Sequence, residues 1–192
     1  MSIQSPRTND SHNNPNLLAK TRAYCIGHMQ YGDGRGWRDY VINELTPLGI
    51  QIFNPYDKPF IKDVDETEEA FKQAYKDLKT ERYDLVVSKM KEIRSYDLSL
   101  VDRSDFIIAV IDVKIPSWGT GEELSWAARL KRPTFICSTT SKSDIPLWVY
   151  GMFPHKYMYD SIEDAVDMIK KIDRAEIITD SNRWRLLRKE LR

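Results

Sequence analysis

Cysteine is scarce in this chain: Cys25 and Cys137 are the two present in 192 residues, and each lies inside an apolar run. That excludes a disulfide framework and a thiolate metal centre, because buried free thiols behave as small hydrophobes and no ligand spacing exists. The compartment therefore reads as reducing. Histidine is nearly as rare, with three residues, and His28 and His155 have no partner at ligand spacing, so no metal and no cofactor is expected. An excess of charge of one sign is absent as well. Twenty-nine basic and 29 acidic side chains cancel, which removes any global electrostatic case for nucleic acid or a membrane surface as partner and leaves small molecules. No apolar run approaches a membrane span, and the polar start carries no basic segment followed by a hydrophobic one, so the expected location is the cytoplasm.

What is present fits one domain. An apolar content of 41% over 192 residues is enough for one sizeable core and too little for two. Residues 1–20 carry Ser, Asn, Pro, Asp and His and hardly any apolar side chain before Leu17 and Leu18, which predicts a disordered leader. Residues 21–173 form the expected domain, and 174–192 a basic C-terminal helix. Within the domain, β-prone runs at Arg22–Gly27, Ile50–Phe53, Asp105–Asp112, Thr134–Cys137 and Lys156–Tyr159 alternate with helical spacing at Trp37–Leu48, in the charged crossover 57–95, at Ser95–Arg103, after Gly121 and after Ser161. This alternation predicts an α/β fold: a three-layer open sheet of about five mostly parallel strands with helices on both faces, Rossmann- or flavodoxin-like. Trp148, Tyr150, Met152 and Phe153 form an aromatic segment too irregular for a standard helix, suited to packing under a loop or to lining a base-sized pocket.

The stretch Asp105–Leu124 organises the rest. An apolar run bounded by acids reads as a strand buried on both faces, followed by a Pro/Gly-rich turn and a helix, and ligands of such sheets bind at the strands' carboxyl ends. Asp112, Ser117, Gly119, Thr120 and Glu123 fall there. Glu123, in the first helical turn, has two readings. It completes a capping box with Thr120, or it is a carboxylate kept ionised by the helix field, as a nucleophile requires. Gly27, Gly34, Arg35 and Arg38 surround a Gly-rich loop that reads either as a phosphate seat or as a flexible turn with solvated arginines. Asp97 is either the N-cap of a short helix or an acid directed at the site. The basic stretch 180–192, with Trp184, Leu187 and Leu191 interleaved, reads as a docked amphipathic helix or as an RNA-touching tail.

Three groups of residues, in order, resemble the nucleoside 2-deoxyribosyltransferases and the related 2'-deoxynucleoside 5'-monophosphate N-hydrolases. They are Tyr24-Cys25-Ile26-Gly27 with the Gly/Arg loop, Asp97-Leu98 with Asp105 downstream, and Pro116-Ser117-Trp118-Gly119-Thr120-Gly121-Glu122-Glu123-Leu124. The resemblance spans roughly residues 22–172. It implies that Glu123 attacks the anomeric carbon, expels the base and forms a covalent glycosyl intermediate, as the nucleophile of a retaining glycosidase does. It further implies that Tyr24 orients that carboxylate, and that Asp97 holds the sugar hydroxyl side or protonates the leaving base. Ser117 stands where transferases acting on nucleosides place an Asp, which favours a 5'-monophosphate because a carboxylate there would repel it. The implied function is hydrolytic release of a base from a deoxynucleotide, with deoxyribosyl transfer as the alternative and a non-catalytic nucleotide-binding module as a further one. Relatives complete each pocket with a neighbour, so a homodimer or larger homo-oligomer is expected. His28, the long crossover and the lack of a match for the polar residue lent across the interface depart from the pattern and leave base and acceptor open.

Overall fold

The computed structural model describes residues 15–29, 34–57, 73, 76, 78–115, 117–179 and 182–187. Five strands form one wholly parallel sheet: β1 (Arg22–Gly27), β2 (Gln51–Phe53), β3 (Phe106–Ile111), β4 (Thr134–Ser138) and β5 (Met158–Tyr159), in the order β2-β1-β3-β4-β5. The chain leaves β1 for β2 on one side and then crosses back to β3 on the other. The order thus reverses between β1 and β3, and the carboxyl ends of these two strands are where such sheets bind ligands. β3 is buried at all six positions, which explains its unbroken apolar run: both of its faces are covered.

Among the described residues, five helices supply the cover. α1 (Gly36–Leu45) and α5 (Ile162–Asp173) pack with Val41, Leu45, Ala165, Val166 and Ile169 against Ala23, Cys25, Phe106, Ile108 and Phe135. α2 (Tyr83–Arg103), α3 (Trp118–Arg129) and the short α4 (Leu147–Met152) cover the opposite face, where Leu100, Leu124, Ala127 and Val149 meet Tyr24, Ile26, Ile107 and Ala109. Alternate residues of β1 therefore serve different layers, and Tyr24 belongs to the α2–α3 layer. Gly49 closes the turn after α1 at φ +78°, a left-handed conformation that a side chain would strain.

Several expectations need correcting. Within the leader predicted for 1–20, residues 17–19 are anchored: Leu18 is fully buried, and its N–H donates to Asp173 Oδ1 at 2.8 Å. Two apolar residues were enough to anchor the segment, because the buried carboxylate satisfies its backbone. Residues 1–14 lie outside the described set. The helix expected to start at Ser95 begins twelve residues earlier, at Tyr83, so Asp97 sits mid-helix and is no cap. Residues 147–152, read as too irregular for a helix, form α4, which buries Val149 and leaves Leu147 and Trp148 exposed. Lys156 and Tyr157, expected in the fifth strand, lie in a 3-10 turn (His155–Tyr157) that leaves β5 two residues long. The basic helix expected over 174–192 is, in its described part, a 3-10 turn at Arg185–Leu187 preceded by Trp184. Trp184 is buried among Phe106 and Phe135, at 5.9 Å from each ring centroid. Among the described residues no helix is long and apolar enough to cross a membrane.

Candidate active site

The site grows from the β1/β3 divergence. Gly27 is the last residue of β1, opposite Val110, and a Cβ there would stand 2.9 Å from the Val110 carbonyl oxygen. Only glycine lets the two backbones come this close before parting. Beyond β3, Asp112 Oδ1 accepts the Lys114 N–H at 2.8 Å, a local turn that starts the loop toward α3. Asp112, expected to touch substrate, uses that oxygen for its own backbone.

α3 begins at Trp118, and its cap is Ser117. The Ser117 hydroxyl accepts the Thr120 N–H at 3.3 Å and lies 2.9 Å from the Thr120 hydroxyl. Glu123 consequently falls in the second turn, too far along to reach back to the cap amide, and the capping-box reading is overturned. Leu124 and Ala127 fix the buried face of α3, and Glu123 shares it, with 8% of its surface exposed. The Tyr24 hydroxyl donates to Glu123 Oε1 at 2.6 Å, joining residues 99 positions apart. A 2.6 Å O–H···O contact to a carboxylate lies in the short, charge-assisted range.

Burial pushes the Tyr24 phenol well above its ordinary value; the charges of Glu123 and Asp97 and the bond to Glu123 push the same way, and Arg38 opposes them. Tyr24 therefore stays protonated and is the donor in its bond to Glu123. Asp97 is half-buried on α2, and its charge raises the Tyr24 phenol in the same direction as that of Glu123.

Gly32 and Asp33 of the Gly/Arg loop lie outside the described residues, and the described Arg38 is placed otherwise than a phosphate seat requires. Arg38 shares a helical face with Val41 and Leu45 and is fully buried. Its Nη1 donates to the carbonyls of Gly34 (2.6 Å) and His28 (3.4 Å), and its Nη2 to those of Gly27 (3.0 Å) and Cys25 (3.4 Å). The guanidinium fork is thus consumed by backbone carbonyls, and the expectation that Arg38 contacts substrate is corrected. Gly34 is required by the same crowding, since a Cβ there would meet the His28 carbonyl oxygen at 2.5 Å. Arg35 lies over the Tyr56 ring, 4.1 Å from its centroid, at the entrance of α1. Sequence reasoning missed Tyr56 and Trp37, whose rings flank Arg38 at 5.3 and 4.3 Å. The usable signal was the spacing of Arg38 with Val41 and Leu45, which puts it on the core side of α1. A Cβ on Gly119 would meet nothing within 4 Å, so that residue lines open space at the start of α3. Among the described residues, no group of three or more His, Cys, Asp or Glu side chains is arranged to hold a metal ion.

No family model matches this sequence, and no curated protein matches it. Solved structures do. A 2-deoxyribosyltransferase from Bacillus psychrosaccharolyticus superimposes with a TM-score of 0.53 at 15% identity, over 76% of this chain and 90% of its own. A Clostridium botulinum CMP N-glycosidase superimposes with a TM-score of 0.48 at 13% identity, over 79% of this chain and 99% of its own. The first of these establishes a shared fold.

Proposed function

We propose that the protein cleaves the N-glycosidic bond of 2'-deoxynucleoside 5'-monophosphates, with Glu123 as nucleophile. The observation that carries this reading is the Tyr24–Glu123 contact at 2.6 Å, which holds a nearly buried carboxylate of α3 against the central strand β1. A structural carboxylate in that position would need more than burial to justify it, because an ion removed from water costs several kcal/mol. A nucleophile explains the expense. Glu123 attacks the anomeric carbon as the bond to the base breaks, and water then releases the sugar phosphate from the glycosyl ester. Tyr24 orients the attacking oxygen, and Asp97 serves the sugar hydroxyl side or the departing base. The monophosphate lies against the amides at the start of α3, with Ser117, Gly119 and Thr120, and Arg35 is the cation of the facing loop.

Transfer of the deoxyribosyl group to a second base uses the same intermediate, and the fold shared with a 2-deoxyribosyltransferase favours it as the second reading. A homo-oligomer belongs to the proposal. Trp118, Leu147 and Trp148, exposed at 94%, 88% and 82%, follow the carboxyl ends of β3 and β4, where a second copy would border the site. Incubating the protein with each deoxynucleotide and deoxynucleoside, with and without a second base, and resolving the products by chromatography tests the reading. Free base from monophosphates supports hydrolysis, and a new nucleoside supports transfer. A nucleotide that raises the melting temperature without being consumed supports a binding module instead.

A further inference from the structure

We propose that Arg94 and Glu122 are positioning residues of this site: their ion pair braces α2 against α3 and fixes where Asp97 stands relative to Glu123. The inference rests on the reading of Glu123 as nucleophile with Asp97 as its companion acid. Arg94 Nε donates to Glu122 Oε2 at 2.7 Å and its Nη2 donates to Glu122 Oε1, a two-pronged bond between positions 28 apart. A fork of this kind fixes direction as well as distance. Glu122 immediately precedes Glu123 on α3. Further along, the two helices are pinned again. Asp102 Oδ1 accepts the Trp126 indole N–H at 2.8 Å, the Asp102 carbonyl accepts Arg132 Nη2 at 2.7 Å, and Arg103 lies 4.9 Å from the centre of the Phe53 ring of β2.

Both candidate acids fall between these braces. Arg94 and Asp102 stand about 12 Å apart along α2, at 1.5 Å of rise per residue, with Asp97 between them. Glu122 and Trp126 are one turn apart on α3, with Glu123 between them. Helical spacing decides which way the acids face. Asp97 precedes Leu100 and Val101 by three and four positions and so shares their sheet-facing side; it is half-buried, and its Oδ1 is buried. Glu123 shares the buried side of α3 with Leu124 and Ala127. The side chains of Arg94 and Glu122 remain 59% and 39% exposed. The ion pair therefore lies on the solvent side of the α2–α3 contact, with the acids on the sheet side beneath it, where Tyr24 of β1 reaches Glu123. Because α2 leads into β3 and α3 leaves it, Asp102 lies toward the amino end of the sheet. The Arg94–Glu122 pair is the brace nearer the carboxyl end, where ligands of such sheets bind. An exposed pair adds little to global stability, so its contribution here is register: α2 cannot slide or turn on α3 without breaking the fork.

Arg94→Gln and Glu122→Gln each break the pair, and the double variant Arg94→Glu with Glu122→Arg rebuilds it with the charges exchanged. All three changes are on the surface, where folding tolerates them. Arg174→Gln, which breaks an exposed two-pronged pair with Glu176 after α5, is the control. Two quantities are read in each protein: amide hydrogen exchange over residues 95–103, and kcat and KM for base release from deoxynucleoside monophosphates. In both single variants exchange over 95–103 should quicken, and kcat should fall, by about three- to fivefold, the range an exposed pair can set, with KM unchanged. The exchanged pair should recover both quantities, and the control should match the parent. Parental exchange and parental kcat in the single variants overturn the proposal, as does a loss confined to KM, or an exchanged pair that stays at the single-variant level. If the parent releases no base, the reaction reading falls and exchange decides the brace: faster exchange in the single variants upholds it, and parental exchange overturns it.

Discussion

Replacing Tyr24 by Phe removes one oxygen atom and tests the core of the site. The ring of Tyr24 packs among Ile26, Ile107 and Ala109, so Phe preserves the packing, and the change isolates the 2.6 Å bond to Glu123. Hydrogen bonds to charged groups contribute roughly 1.5–3 kcal/mol, and removing this donor from a nearly buried carboxylate costs an amount in that range. For a domain of this size each kcal/mol moves Tm by about 2–4 °C, so Tyr24→Phe should melt roughly 3–12 °C below the parent at neutral pH. The penalty falls on the ionised carboxylate, so the difference should shrink as the pH is lowered and Glu123 takes up a proton in both proteins. Base release should fall by about 10- to 100-fold in kcat at pH 7, because the carboxylate escapes its orientation by turning or by protonation. Differential scanning calorimetry at neutral and acidic pH, paired with steady-state kinetics, provides the assay. A Tyr24→Phe protein with the parental Tm at pH 7 and the parental kcat would refute the argument that this bond organises the site.

Trp184→Ala removes an aromatic side chain held between Phe106 and Phe135, far from Glu123 in the sequence and on the opposite face of the sheet; a loss of about 3–5 kcal/mol in urea denaturation is expected, with kcat unchanged where the variant is folded. Burial raises the thiols of Cys25 and Cys137 from 9.0 to about 12. Because the folded values exceed the unfolded ones, their contribution to stability is complete below pH 9 and is lost as the pH rises toward 12, so the urea midpoint should fall across that window, and a thiol reagent at pH 8 should label both cysteines only after unfolding. Ser117→Ala removes the α3 cap and should cost about 1 kcal/mol of stability while weakening monophosphate binding more than nucleoside binding, read by calorimetric titration.

The parallel sheet was legible because β3 has no polar residue from Phe106 to Ile111, and only a strand covered on both faces carries such a run. The helix after it was legible too, but its start was not. Ser117 and Thr120 both qualify as caps by residue type, and the choice depends on where the loop from Asp112 delivers the backbone. The Tyr24–Glu123 contact spans 99 positions, and no local period encodes it; the family resemblance brought both residues forward, and the fold supplied the contact. Arg38 was misjudged because arginine is usually solvated, and carbonyl dipoles gathered by a loop leave no mark in composition. Trp184 was read as part of a helix, whereas a single large ring is enough to dock a turn beneath the sheet.

The most direct measurement is rapid-quench mass spectrometry of the protein mixed with a deoxynucleotide, followed by peptide mapping. A deoxyribosyl phosphate ester on the peptide that contains Glu123, absent from Glu123→Ala, is the predicted result. Base release that proceeds with an unmodified Glu123 peptide, and at the parental rate in Glu123→Ala, would contradict the account.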